Sequence, residues 1–197
     1  MPPLDDLFLA LIIGYLFGSI PVAALVSRYR RVDIFATGTR LAGAANVWRN
    51  VGRREGVIVF AGDVAKGTLA IMVAQRFGLQ QAQLLLPVLM VLMGHWNSVL
   101  TRFRGGDGVA VGLGMTVAMV PFYGLIASVF GLTVAFIAKG TGHQPTIWGG
   151  LACYGLLLSR ALLFQQHMPE SLSLVVMALL VLGHGVVSHW RHRAAPN

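Results

Sequence analysis

The sequence predicts an all-α polytopic membrane protein with about seven transmembrane helices, the N-terminus outside and the C-terminus cytoplasmic. Three observations carry this. Hydrophobic residues make up 56% of the 197 and charged residues only 11%, against about 45–50% and roughly 25% in soluble domains. That composition leaves too little polar surface to coat a water-exposed globule. The apolar residues fall into windows of membrane-spanning length. The excess of basic residues, a formal net charge of +8, gathers on one side of those windows. In a soluble chain such a charge would point to nucleic acid; here the arginines mark topology, and the implied partner is the lipid bilayer.

The windows lie at 7–26, 56–74, 84–100, 109–138, 147–163 and 172–187. The residues before the first, Met1-Pro-Pro-Leu-Asp-Asp6, are acidic where a signal peptide needs a basic region, so 7–26 reads as a retained span. Window 109–138 would extend roughly 45 Å as one helix, and Pro121 near its middle divides it, which brings the count to seven. Charge supports the odd number. With the N-terminus outside, the inner loops collect Arg28, Arg30, Arg31, Arg40, Arg49, Arg53 and Arg54, then Arg102 and Arg104, then Lys139, then Arg191 and Arg193. Arg76 and Arg160 fall outside with Asp5, Asp6 and Glu170. One unbroken helix at 109–138 would carry Lys139 and the C-terminal arginines to the wrong side. No repeat or low-complexity segment divides the chain, so residues 1–197 read as a single integral membrane domain.

Few polar residues lie within the windows. Asp63 and Lys66 stand three apart on one helix face, where each can neutralise the other, either as part of a functional site or as an architectural pair tying helices together. Gly14-x-x-x-Gly18 and Gly108-x-x-x-Gly112 permit close helix approach. The single cysteine, Cys153, lies in an apolar stretch and excludes an intrachain disulfide or a cysteine metal cluster. No paired histidine or carboxylate spacing suggests a metal, and no Ser-His-Asp set suggests covalent catalysis.

The inner loops carry the chemistry. Thr101-Arg-Phe-Arg-Gly-Gly-Asp-Gly108 opens directly into a helix at Val109. Glycine amides, a helix N-terminus and the guanidinium groups of Arg102 and Arg104 together make a phosphate cradle. An ordinary tight turn flanked by topology-setting arginines fits the same residues. The longer loop from Arg30 to Arg54 contains Gly38-Thr-Arg-Leu-Ala-Gly-Ala-Ala-Asn-Val-Trp-Arg49. Those small residues predict a segment folded back on the membrane face that brings Thr39, Asn46 and Arg49 to a polar site. The other reading is an interfacial segment that binds anionic lipid, with Trp48 at headgroup level. His95 and His184 fall at the depth where these loops converge, and His143 lies in a short inner loop.

Taken in order, Gly18-Ser-Ile-Pro21, Gly43-Ala-Ala-Asn-Val-Trp-Arg49, Asp63-Val-Ala-Lys-Gly67, Gly94-His95 and Arg104-Gly-Gly-Asp-Gly-Val-Ala110 resemble the bacterial acyl-phosphate:glycerol-3-phosphate acyltransferases, the PlsY family. The likeness covers nearly the whole chain. It implies transfer of a fatty acyl group from acyl phosphate to the 1-hydroxyl of glycerol 3-phosphate. The products are lysophosphatidate and phosphate at the cytoplasmic face of the bacterial inner membrane, a step of phospholipid synthesis without metal or coenzyme A. The family motif Ser-Gly-Asn-x-Gly-Ala-Thr-Asn-x-x-Arg falls on 39–49, keeping the hydroxyl of Thr39 with Gly43, Asn46 and Arg49, and replacing Asn by Leu41 and Thr by Ala45. Lys-Gly-Gly-Lys-Gly falls on 104–108, where Arg104 keeps the first cation and Asp107 reverses the second. A Ser-Ser pair falls on Gly142 and His143, and His-x-x-Asn on 184–187, keeping His184.

The resemblance thus assigns Thr39, Asn46, Arg49 and His184 to the catalytic set. Arg104, Gly105, Gly106, Asp107, Gly108 and Lys66 become substrate-binding residues. Arg49 and Arg104 are expected to approach one inner-face pocket and hold phosphate, with Arg40 or Arg102 offsetting Asp107. Because acyl phosphate is already activated, positioning and charge stabilisation suffice. The replaced motif residues equally suit a re-purposed paralogue that binds a lipid or anion at the same place. A small transporter would instead line a path through the midplane with polar groups, which here gather at the inner face.

Overall fold

The computed structural model describes residues 3–141 and 144–194, with side chains as far as Ser188. Nine α-helices are present among the described residues. The first apolar window is broken. Helix α1 (Leu4–Ser19) ends before Pro21, whose missing N–H cannot continue the ladder, and α2 (Val22–Tyr29) resumes after it. A surface turn leads to α3 (Ala44–Asn50), then to the long α4 (Arg53–Arg76) and to α5 (Leu85–Trp96). Window 109–138 divides at Pro121, as expected, into α6 (Val109–Met119) and α7 (Pro121–Gly140). Helices α8 (Pro145–Phe164) and α9 (Met168–Ala194) complete the chain.

Six helical segments are long and apolar enough to cross a membrane, namely Leu4–Tyr29, Arg53–Arg76, Gln81–Thr101, Pro121–Gly140, Pro145–Phe164 and Met168–Ser188. The division at Pro121 is unequal. Helix α6 has 11 residues and reaches about 16 Å, roughly half the hydrocarbon thickness. It is apolar all round, and every residue from Ala110 to Thr116 is buried, as befits a helix at the centre of a bundle. The outer helices turn Phe8, Ile12, Ile58, Leu69, Phe122, Phe136, Leu151 and Leu179 outward, which in a bilayer is the lipid-facing surface.

Small residues set the distances between helices. A Cβ at Gly18 would lie 2.1 Å from the Val91 carbonyl oxygen of α5, and one at Gly114 would lie 2.0 Å from the Val64 carbonyl oxygen of α4. Both helix pairs therefore touch backbone to backbone. The break after Ser19 exposes carbonyls that the rest of the bundle meets: Ser98 Oγ donates to Ser19 O at 2.6 Å, and Lys66 Nζ donates to Ile20 O at 2.8 Å. Broken helices are tolerated at membrane depth when neighbours re-satisfy the freed groups in this way.

Candidate functional site

Two loops meet on the face where α3 and the N-terminus of α6 lie. The Ala42 N–H donates to Gly105 O at 2.9 Å, and the Gly106 N–H donates to His95 O at 3.2 Å. Glycine is needed at both positions for a steric reason: a Cβ on Gly105 would lie 2.0 Å from His95 O, and one on Gly106 would lie 2.4 Å from Ala42 O. Trp96 Nε1 donates to Asp107 O at 3.3 Å, and the Trp96 ring stacks on His184 with centroids 4.5 Å apart and planes 9° apart. The first loop, the second loop, the end of α5 and the middle of α9 thus converge, and the expected meeting of His95 and His184 with the loops occurs.

The site residues divide by what they touch. Asn46 is buried and fully engaged by its own loop. Its amide donates to Thr37 O (3.0 Å) and Leu41 O (2.9 Å), while its oxygen accepts from Thr39 N (3.3 Å) and Asn50 Nδ2 (2.8 Å). An amide has two donors and one two-lone-pair acceptor, so Asn46 shapes the loop and has no group left to orient a substrate. Thr39 is exposed, its N–H held by Asn46. Lys66, read from the sequence as substrate-binding, is 4% exposed. It gives its three donor directions to Ile20 O at 2.8 Å, His95 Nδ1 at 2.9 Å and Asp63 Oδ1 at 2.9 Å. It holds the helix break and the His95 ring, and it also lines the cleft that Arg104 borders.

The glycine loop differs from a bare cradle for the same reason. Two amides are turned to the fold: Gly106 N–H to His95 O, and Val109 N–H to Asp107 Oδ1 at 3.1 Å, which satisfies the first amide of α6. Phosphate-binding capacity rests instead on the arginines. Arg104 lies over the Phe35 ring, 4.5 Å from its centroid, and Thr101 Oγ1 donates to its carbonyl oxygen. Arg49 is exposed, with Nε donating to Ala45 O at 3.0 Å. The two arginines border the joined loops from different sides: Arg104 lines a polar cleft of about 240 Å³ with Ser19, Ser98 and Gly105, and Arg49 lies by Asp107.

Asp107 is the centre of the second side. Burial raises its carboxyl above the ordinary carboxylate value, and the Val109 N–H, His184 and Arg49 draw it back down. The offsetting charges are therefore His184 and Arg49, not Arg40 or Arg102, which both sit at left-handed turn positions with φ of 57° and 56° on the exposed face. Gly108 then begins an apolar groove of about 540 Å³ between α6, α7, α8 and α9, lined by Val109, Leu113, Leu132, Ala135, Val181 and Leu182 among others. Trp96 is a site residue that the sequence reading does not single out. Its indole follows Gly94-His95 directly, but only the fold places it between Asp107 and His184. Gly142 and His143 lie outside the described residues.

Comparison with known proteins gives this arrangement its class. The sequence model of the family described as glycerol-3-phosphate acyltransferase matches residues 8–196, and the chain belongs to that family. A glycerol-3-phosphate acyltransferase of Thermus thermophilus is 36% identical over 183 residues, covering 93% of this chain and 86% of that protein. One from Rubrobacter xylanophilus is 32% identical over 185 residues, covering 94% and 87%. Among solved structures, PlsY, an integral membrane glycerol 3-phosphate acyltransferase, superposes in its glycerol 3-phosphate form with a TM-score of 0.75 at 26% identity, covering 94% of this chain and 89% of that one. Its lysophosphatidic acid form gives a TM-score of 0.69 at 29% identity, covering 90% and 87%.

Proposed function

We propose that this chain transfers a fatty acyl group from acyl phosphate to the 1-hydroxyl of glycerol 3-phosphate, giving lysophosphatidate at the inner face of a bacterial cytoplasmic membrane. One observation carries the reading: a single glycine loop borders both a cationic polar cleft, at Gly105 and Arg104, and a long apolar groove, at Gly108. A substrate with a phosphate head and a fatty tail fits that junction. The family membership and the glycerol 3-phosphate and lysophosphatidic acid forms of the related PlsY support the same substrates.

The chemistry follows from the positions. The groove takes the alkyl chain and brings the acyl carbonyl to Gly108, with Arg49 by Asp107 and Arg104 at the adjoining cleft to hold the phosphate groups. The glycerol hydroxyl attacks the carbonyl carbon, the bond to the phosphate oxygen breaks, and the proton ends on the departing phosphate. Asp107 does not put an uncompensated negative charge into the Arg104 cleft, because its carboxylate accepts the first amide of α6 and is countered by His184 and Arg49. This favours an acyltransferase over a re-purposed binding protein.

The test is an assay of the purified protein in lipid with palmitoyl phosphate. Phosphate release and lysophosphatidate formation that both depend on glycerol 3-phosphate are expected. Binding of palmitoyl phosphate with no turnover at any glycerol 3-phosphate concentration would favour the binding protein.

A further inference from the structure

The position that reverses a family cation is the one best placed to move a proton. Asp107 Oδ1 is committed to the Val109 N–H, while Oδ2 accepts no hydrogen bond among the described residues and faces the backbone of Gly43, where a Cβ would lie 2.9 Å away. Asp107 is partly exposed as a residue, which leaves an approach to its carboxyl from the loop junction. Its neighbour in sequence, Gly108, opens the apolar groove, and its neighbours in space are charged or ionisable: Arg49 from α3 and His184 from α9. Asp63 from α4 also acts on it electrostatically, but is itself paired with Lys66 at 2.9 Å.

We propose that Asp107 is the general base for the acceptor hydroxyl, a role that rests on the acyl-transfer reading given above. Its Oδ2 accepts the proton of the attacking hydroxyl as the new carbon–oxygen bond forms, and the carboxylic acid then returns that proton to the phosphate oxygen as the bond to the acyl carbon breaks. Nothing is oxidised or reduced, and Asp107 ends as it began. Arg49 serves two ends here, holding the acceptor's phosphate and favouring the ionised form of the carboxyl beside it. His184, fixed by its stack on Trp96, is a positioning residue that bears on the same carboxylate. Burial makes Asp107 a stronger base than an exposed aspartate, and those two groups limit the rise.

The geometry supplies a clean variant. In Asp107→Asn the amide oxygen still accepts the Val109 N–H, so that contact and the fold are kept while the base is removed. With palmitoyl phosphate and saturating glycerol 3-phosphate, kcat is expected to fall by about 100-fold or more, with KM for palmitoyl phosphate little changed. In wild type kcat should rise with pH through a carboxyl titrating above the ordinary range, and this limb should vanish in Asp107→Asn and return in Asp107→Glu. Asp107→Lys should be as inactive as Asp107→Asn. An Asp107→Asn enzyme with wild-type kcat and pH profile, or an Asp107→Lys enzyme at or above wild type, overturns the general base and leaves the acyltransferase standing. Wild type at background under every condition overturns the acyltransferase reading, and the general base falls with it.

Discussion

Removing the Asn46 amide donors would leave the Thr37 and Leu41 carbonyls with only their turn contacts, from the Arg40 N–H at 3.0 Å and the Gly43 N–H at 2.9 Å. Asn46→Asp keeps both acceptor contacts but loses both donors, and at ~0.5–1.5 kcal/mol for each hydrogen bond lost it should destabilise the protein by about 2 kcal/mol. Thermal unfolding in detergent checks this: the midpoint should fall clearly below that of Thr39→Ala, whose side chain is exposed. A larger loss is expected from Lys66→Met, which leaves Asp63 buried without its cation at a cost of about 3–5 kcal/mol. Adding Asp63→Asn should recover part of it; no recovery in the same melting experiment would mean that Lys66 acts through Ile20 and His95 alone. The Asp63–Lys66 pairing was legible because three residues along a helix make one face. The Ile20 and His95 contacts were not, since they bridge 46 and 29 residues of sequence and depend on how helices pack. The same gap hides the loop contacts of Asn46: a residue type at a spacing does not say which partner uses its hydrogen bonds.

Helices are legible more closely than side chains, because hydropathy over a span is a sum and tolerates errors of a few residues. Window 56–74 became Arg53–Arg76, 147–163 became Pro145–Phe164, and Pro121 divided 109–138 where a ring without an N–H must. Pro21 carries the same signal, but it lies inside an otherwise continuous apolar run that masks the break. The shortness of α6 follows from the glycine loop before Val109 and from Pro121, but the α4 surface that it fits is not legible locally. Gly67 and Gly114 make that fit, with a Cβ at Gly67 coming within 2.4 Å of Val111 O and one at Gly114 within 2.0 Å of Val64 O. Gly67→Ala or Gly114→Ala should push α6 from α4 and destabilise the bundle by about 1–3 kcal/mol. Gly140→Ala, with nothing within 4 Å, should leave the melting midpoint unchanged. Because α6 begins at Gly108, moving it also moves the loop, so activity in the first two variants should fall before the fold is lost.

For the whole molecule the decisive property is which side the joined loops face, since acyl phosphate and glycerol 3-phosphate must meet on one side of the bilayer. Helices α6 and α7 form an antiparallel hairpin: Gly124 packs on the Thr116 carbonyl near the turn, and Val109 and Ala135 line the same groove at the open end. The end of α7 therefore lies on the same side as Gly108, even though α6 is too short to cross the hydrocarbon by itself. Arg49, Arg102, Arg104 and Lys139 then share one side, which the positive-inside bias predicts to be the cytoplasmic one. A cysteine at Gly140 tests this. The position is exposed with open space around it, and the native Cys153 is buried, so labelling of a Gly140→Cys protein reports the new thiol. A membrane-impermeant maleimide should label it in inside-out vesicles and fail to do so in intact cells. Efficient labelling from outside would turn the whole bundle over and remove the basis for acyl transfer at the inner face.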